Sequence, residues 1–198
     1  YKFSKSRDIP AGVKTVTVKR DTLGNLFLYF VVDEPINQTN QATTGNSAGF
    51  DFGMKTFLTA SNGKTIESPL YYREAMAELQ LAQQNLARKV KFSGGWQKAR
   101  AIVTRIYQRV VNKRRDWFFK VSHCLTDQFD NLFFEDLNMK GMQALWGRKI
   151  SDLARSEFMN ILDYVASTKG KIVHLVNRFY PSSKTCHDCG HVYKELKL

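Results

Sequence analysis

The stretch Asn131-Leu-Phe-Phe-Glu-Asp-Leu137 decides the fold. Its short apolar run ending in acids predicts a buried central strand whose end reaches the edge of a sheet. The acids Glu135 and Asp136 point to opposite faces, because side chains alternate along a strand, so only one of them can share a site with a group elsewhere on that sheet. Toward the C-terminus comes a loop carrying Lys140, Gly141, Gly147 and Arg148. An amphipathic helix follows from about Ser151 to Thr168, with Leu153, Phe158, Ile161, Leu162 and Val165 facing inward and Gly170 ending it. Lys171-Ile-Val-His-Leu-Val-Asn177 then predicts a second buried strand.

Toward the N-terminus, apolar residues recur at three- and four-residue spacing from about Tyr72 to Ala87 and from about Trp96 to Phe129. They include Leu79 and Leu86 in the first segment and Ile102, Ile106, Val110, Val111, Phe118, Val121 and Leu125 in the second. Ser93-Gly94-Gly95 breaks the pattern, so the two form a helical hairpin. Before it, Gly49-Phe-Asp-Phe-Gly-Met-Lys-Thr-Phe-Leu-Thr-Ala60 alternates apolar and polar residues, and Ser61-Asn-Gly-Lys64 turns the chain into a short strand at Thr65 to Glu67, predicting one β-hairpin. Thr15 to Glu34 reads as another pair of strands, around a turn at Leu23-Gly24-Asn25. Pro35 to Asn46 is polar and aperiodic, a linker. The order hairpin, helices, strand, helix, strand gives an α/β class with a mixed sheet. The segments are 1–34 (β-hairpin), 35–47 (linker), 48–180 (core, with the helical hairpin at 72–129) and 181–198 (a cysteine segment).

Charge narrows the function. The chain of 198 residues carries a net +12, with a pI near 9.7, and this points to a polyanionic partner, nucleic acid ahead of an acidic membrane surface. Between Arg73 and Lys120 there are twelve Lys/Arg against Glu74, Glu78 and Asp116, a net of +9 in one segment. Arg88, Lys89, Lys98, Arg105, Arg109, Lys113, Arg114 and Arg115 are the candidate phosphate contacts. No apolar run approaches the roughly 18–20 residues that span a bilayer, and Tyr1-Lys-Phe-Ser-Lys5 does not resemble a signal peptide, so the cytosol is the expected compartment and no membrane partner is expected. Nothing in the sequence speaks to oligomeric state.

Three constellations carry chemistry. Asp51 lies mid-strand between Phe50 and Phe52, a costly place for a charge unless it faces a cleft, a cation or a donor. Alone, Gly49-x-Asp51-x-Gly53 fits a strand-end turn as well as a metal ligand. Glu135 alone fits a solvated strand terminus. Together, on strands of one basic domain, the two suit phosphodiester hydrolysis with Mg²⁺ or Mn²⁺, which needs converging carboxylates. The third constellation is Pro181-Ser-Ser-Lys-Thr-Cys186-His-Asp-Cys189-Gly-His191. Its Cys-x-x-Cys-Gly spacing is that of a zinc knuckle, and with two sulfurs it offers Zn²⁺ half a tetrahedral site, which His187 or His191 could extend. Three cysteines suit reduced metal chemistry better than disulfides, and Cys124 is expected to be a buried helix residue.

Taken in order, Gly49-Phe-Asp-Phe-Gly-Met-Lys55, Val111-Asn-Lys-Arg-Arg-Asp-Trp-Phe118, Phe134-Glu-Asp-Leu-Asn-Met-Lys-Gly-Met142, Ile150-Ser-Asp152 and Tyr180-Pro-Ser-Ser-Lys-Thr-Cys-His-Asp-Cys-Gly190 resemble the TnpB (OrfB-type) proteins of insertion sequences, relatives of the type V CRISPR nucleases. The resemblance implies an RNA-guided DNA endonuclease of the prokaryotic cytosol or nucleoid, with an RNase H-like (RuvC) mixed sheet, an inserted basic helical hairpin, DNA and guide RNA as partners, and Mg²⁺ held by three carboxylates. Asp51 matches the first catalytic acid and Glu135 the second. It further implies that 1–34 is the C-terminal remnant of a wedge-type β-barrel and that 181–198 is a truncated zinc knuckle. The family's second Cys-x-x-Cys and third acid are not among these residues. The expectation is therefore a fragment, a truncated form or a decayed copy, inactive alone. Two alternatives stand beside the nuclease core: a catalytically incomplete nucleic-acid-binding module, and a metal-free scaffold.

Overall fold

The computed structural model describes residues 4–5, 8–9, 11–33, 42–53, 56–136, 154–177, 184–186 and 188–193. The chain divides into two units, one of residues 1–39 and 69–120 and the other of 40–68 and 121–198.

In the second unit five strands form one sheet: β3 (Ser47–Phe52), β4 (Thr56–Ala60), β5 (Thr65–Glu67), β6 (Asn131–Glu135) and β7 (Ile172–Val176), in the order β5-β4-β3-β6-β7. Strand β6 runs parallel to both β3 and β7, while β4 is antiparallel to β3 and β5. The central position predicted for Asn131–Glu135 is thus observed, and Leu132 and Phe134 are fully buried. On the same face Phe50 stacks on Phe134 at 5.1 Å. A 14-residue helix (Arg155–Thr168) covers this face, with Phe158, Ile161, Leu162 and Val165 buried as their spacing requires. Phe158 meets Phe57 and Phe52 edge-on at 5.0 and 6.0 Å. Residue 153 and the loop at 137–150 lie outside the described residues.

Two expectations are corrected here. Residues 49–60 are not one strand. The chain reverses after Phe52, so that Phe50, Asp51 and Phe52 pair with Ala60, Thr59 and Leu58, and the sheet gains a third strand. Both arms of a tight turn keep the two-residue alternation, which therefore carries no sign of the reversal. Strand β7 is an edge strand, with Ile172 and Leu175 54% and 62% exposed. Its apolar composition suits an edge as well as a centre, and only its place in the sheet distinguishes them.

Lys169 and Lys171, just beyond the last helix, turn inward. Lys171 Nζ donates to Asp130 Oδ1 at 2.6 Å and to the Ala42 carbonyl at 3.1 Å, and Lys169 Nζ donates to Asp127 Oδ1 at 2.6 Å. Asp130 also accepts the amides of Thr44 and Gly45. These contacts hold its carboxyl down at about 2, the Lys171 hydrogen bond contributing most. These two lysines do not belong to any phosphate-binding surface.

In the first unit, β1 (Val13–Arg20) and β2 (Leu26–Val32) form the predicted antiparallel pair. The Asp21 carboxylate fixes their turn by accepting the amides of Leu23 and Asn25, with Gly24 at φ +90°. Helices α1 (Tyr71–Ala87) and α2 (Gly94–Gln128) pack through Ala75, Leu79, Ile106 and Val110. Ile102 and Val111, though on the apolar pattern, are 45% and 37% exposed. Residues 121–128 of α2 belong to the sheet unit, where Val121 and Leu125 are buried. Cys124 is exposed rather than buried. It sits one position before the buried Leu125, about 100° round the helix, and its Sγ accepts from Gln128 Nε2. Among the described residues no helix is long and apolar enough to cross a membrane. The helix Arg155–Thr168 is hereafter α3.

Candidate functional site

The buried Phe50 and half-buried Phe52 face the aromatic cluster under α3, which turns Asp51, between them, to the opposite face of the sheet. There it is exposed. It is therefore not the buried-strand charge that its apolar neighbours suggest. The parallel register pairs Gly49 with Phe133 and Phe50 with Phe134. Continued by one residue, it sets Asp51 beside Glu135, on adjacent strands roughly 4.8 Å apart. Glu135 is half-buried and pairs with Val176 on its other side. Two residues back in register, Phe133 and His174 stack at 4.5 Å, and His174 Nε2 lies 3.1 Å from Asn131 Oδ1. That ring pair was not visible in the sequence, since the strand pairing that creates it is non-local.

Beyond the ends of the strands is a cavity of about 240 Å³ lined by Glu135, Asp136, Arg155, Ser156 and Asn160, among others. Asp51 is not in its wall. Strand β6 ends at Glu135, so Asp136 leaves the pleat and both acids reach this cavity. The strict two-face separation expected of them does not extend past the strand terminus.

Arg155 is the residue that sequence reading missed. It is 3% exposed. Its guanidinium lies 5.1 Å from the centre of the Phe52 ring, and Nη2 donates to the carbonyls of Phe52 and Gly53 at 3.4 and 3.3 Å. Burial lowers its pKa and the nearby Asp51 charge acts against that shift. A signal was present: Arg155 falls on the same helical stripe as Phe158, Leu162 and Val165, at offsets of three, seven and ten.

The flanking glycines differ. A Cβ at Gly49 would meet only Ser61 Cβ, at 4.0 Å. One at Gly53 would come within 2.6 Å of the Thr56 carbonyl oxygen and 2.7 Å of its Oγ1. Only Gly53 is required by space.

In the cysteine segment, the Gly190 amide donates to the Cys186 carbonyl at 3.0 Å, the Cys186 amide to the His191 carbonyl at 2.8 Å, and Thr185 bridges to Val192. With Gly190 at φ +69°, this is a tight reversal carrying Cys186 and Cys189. Hydrogen bonding from the Cys189 amide, then the Asp188 amide, lowers the Cys186 pKa and favours the thiolate a metal would take. The His191 ring packs edge-on to Tyr193 at 4.8 Å, and His187 lies outside the described residues. Among the described residues no three His, Cys, Asp or Glu side chains cluster as a metal site.

Of the candidate phosphate contacts, Arg88, Lys89, Lys98, Arg105, Lys113 and Arg115 are exposed on the helical hairpin and Arg114 is half-buried. Arg109 is exposed but forms an ion pair with Glu78, and Lys113 Nζ lies 5.8 Å from the Tyr71 ring centre. No acid occurs between Glu78 and Asp116.

Comparison with known proteins gives the following. The family model OrfB_IS605, described as a probable transposase, matches residues 17–145, and a Cas12f1-like TNB domain model matches residues 156–197. A Streptomyces pristinaespiralis protein named "Putative RNA-guided DNA endonuclease" is 34% identical over 197 residues, covering 98% of this chain and 48% of that one. The Escherichia coli K12 protein "Putative RNA-guided DNA endonuclease InsQ" is 27% identical over 214 residues, covering 100% and 52%. The "TnpB-like protein L79" of Acanthamoeba polyphaga mimivirus is 28% identical over 215 residues, covering 96% and 39%. The chain thus spans about half the length of the first two relatives and less of the third. Among solved structures, the fold is similar to that in a cryo-EM structure of a Cas12f1-sgRNA-target DNA complex, with a TM-score of 0.60 at 18% identity over 90% of this chain and 38% of that one.

Proposed function

This chain belongs to the OrfB_IS605 family of probable transposases, and from that premise we propose that it is the nucleic-acid-binding, RuvC-like nuclease core of a transposon-associated RNA-guided DNA endonuclease. Its sheet is read as RNase H-like. DNA and guide RNA are the partners, and phosphodiester hydrolysis is the work of the full-length protein, of whose relatives this chain spans about half.

What supports the reading is the parallel register of β3 and β6, which pairs Phe50 with Phe134 and, continued by one residue, would bring Asp51 beside Glu135. Two neighbouring carboxylates of this kind fit a hard divalent cation, which takes oxygen ligands and fills its remaining positions with water and substrate phosphate. Bound there, Mg²⁺ or Mn²⁺ would activate the attacking water and stabilise the leaving oxygen. Asp51 and Glu135 would hold the cation. Arg155 is a positioning residue, clamping the carbonyls of Phe52 and Gly53 and so fixing the end of the strand that carries Asp51. The exposed cations of α1 and α2 hold the phosphate backbone without reading sequence. Cys186 and Cys189 supply two of the four thiolates or imidazoles of a structural Zn²⁺ site.

Calorimetric titration with Mn²⁺ tests the site. Asp51→Ala and Glu135→Ala are each expected to weaken binding relative to the parent chain. If both variants bind like the parent, the carboxylate assignment fails and a nucleic-acid-binding module without catalysis is the better reading.

A further inference from the structure

The turn between α1 and α2 presents an exposed aromatic ring beside a half-buried one. Phe92 is 71% exposed and Val90 78%. Phe92 and the half-buried Trp96 contact each other, with ring centres 5.4 Å apart and planes at 55°. Each ring carries its own cation: Lys91 Nζ lies 5.3 Å from the centre of Phe92, and the Arg100 guanidinium carbon 5.4 Å from that of Trp96.

The backbone beneath is held in place. Phe92 adopts φ +67°, a left-handed conformation that is strained for a bulky residue and natural for glycine. It is pinned there by its neighbours. Ser93 Oγ accepts the Trp96 amide at 3.1 Å, the Ser93 carbonyl accepts the Gln97 amide at 3.0 Å, and the Phe92 carbonyl accepts from Gln97 Nε2 at 3.4 Å. A Cβ at Gly94 would meet nothing within 4 Å, so the first turn of α2 is open. A strained residue that gains little burial in return points to a use outside the fold.

Charge selects the partner. From Leu79 to Arg115 the chain has ten Lys/Arg and no acid, so a polyanion is favoured and an acid-poor apolar protein surface is not. Cations paired with exposed rings are the means by which proteins hold unpaired bases, since every base has a π face and every nucleotide a phosphate. We propose that the Phe92–Trp96 turn is a stacking platform for an unpaired base of a nucleic-acid strand whose phosphates lie on Lys91 and Arg100. The inference rests on the chain being a nucleic-acid binder and adds to it a site that distinguishes unpaired bases from bare backbone.

The test is fluorescence anisotropy with the 198-residue chain and short labelled single strands, each made with normal bases and as an abasic backbone of equal charge, in DNA and RNA. The parent should prefer the base-bearing strand by about tenfold, one stacked base. Phe92→Gly and Trp96→Leu should abolish that preference and leave the salt dependence unchanged. Lys91→Ala with Arg100→Ala should instead flatten the salt dependence. Phe92→Gly relieves the backbone, so its Tm should equal or exceed the parent's, which a residue serving only the fold would not show. A preference confined to the DNA or the RNA arm identifies the strand. Equal binding of base-bearing and abasic strands by the parent, or a preference that survives both ring substitutions, overturns the platform and leaves the nucleic-acid reading intact. Failure of every strand to bind overturns both.

Discussion

Gly53→Ala is the perturbation whose outcome the structure specifies most narrowly. The new Cβ would lie 2.6 Å from the Thr56 carbonyl oxygen, closer than any real Cβ contact, so strand β4 or the end of β3 must move by at least about half an ångström. The movement cannot be absorbed by a flexible side chain, because the obstacle is backbone in a strand that pairs with β5 at Thr56 and Glu67. It also displaces the Gly53 and Phe52 carbonyls, to which Arg155 donates, and the guanidinium is too buried to find water instead. Overpacking of this kind costs about 1–3 kcal/mol, which for a chain of this size lowers Tm by about 2–4 °C per kcal/mol. Gly49→Ala, two residues before Asp51 where Gly53 is two after, has room for its Cβ and should change Tm by about 2 °C or less. Thermal denaturation followed by circular dichroism reads both variants. Equal Tm values for the two would refute the claim that Gly53 is required by space.

Three further outcomes are expected. Phe158→Ala empties the centre of the aromatic cluster between α3 and the sheet, and should cost about 3–5 kcal/mol, measured by urea unfolding; a loss under about 1 kcal/mol would contradict the packing described. Asp130 titrates at about 2 in the fold against an ordinary 3.8. A depressed pKa contributes stability that is complete above the unfolded value and lost as pH falls from about 4 toward 2, so Asp130→Asn should lower stability at neutral pH and flatten the acid limb of the stability-versus-pH curve in that window; an acid limb as steep as the parent's would contradict the assignment. Arg105→Ala should lower the slope of log affinity against log salt for duplex DNA by about one unit, and Arg109→Ala by less, because Glu78 already neutralises Arg109; the reverse order would argue against the hairpin face as the phosphate surface.

Periodicity located α1 and α2, and it fixed the end of α3 at Thr168 but not its start, which lies at Arg155 rather than at about Ser151 because Ala154, at φ +34°, stands outside the helix. Both ends of α1 and α2 lie within two residues of the expected limits, because thirty-five- and seventeen-residue helices carry enough turns for an apolar stripe to stand out. The central strand was equally legible in its three consecutive apolar residues. The reversal at Gly53 was not, since β3 and β4 share one alternation, nor was the exposure of β7, which has no further strand beside it among the described residues. Asp51 and Glu135 stood out as acids set among apolar residues, yet which strands lie side by side is a property of register between segments far apart in sequence. Arg155 went unread for a different reason: a charged residue on an apolar stripe is discounted by a hydrophobicity pattern, although its position was as regular as that of Phe158.

The pairing of Ser47 with Asn131 closes a loop of more than eighty residues, and this has a consequence for how the carboxylate pair comes into being. Helices α1 and α2 make their contacts between near neighbours and can form as soon as they are synthesised, whereas β3 waits for β6 and pays the entropy of a long closure. The two strands that carry Asp51 and Glu135 are therefore strangers until that long closure is made. The same arithmetic makes the inserted hairpin cheap to alter, since doubling the length of such a loop adds only about 0.6 kcal/mol to its closure. Lineages could lengthen, shorten or re-charge that insert while β3 and β6 went on meeting in the same register.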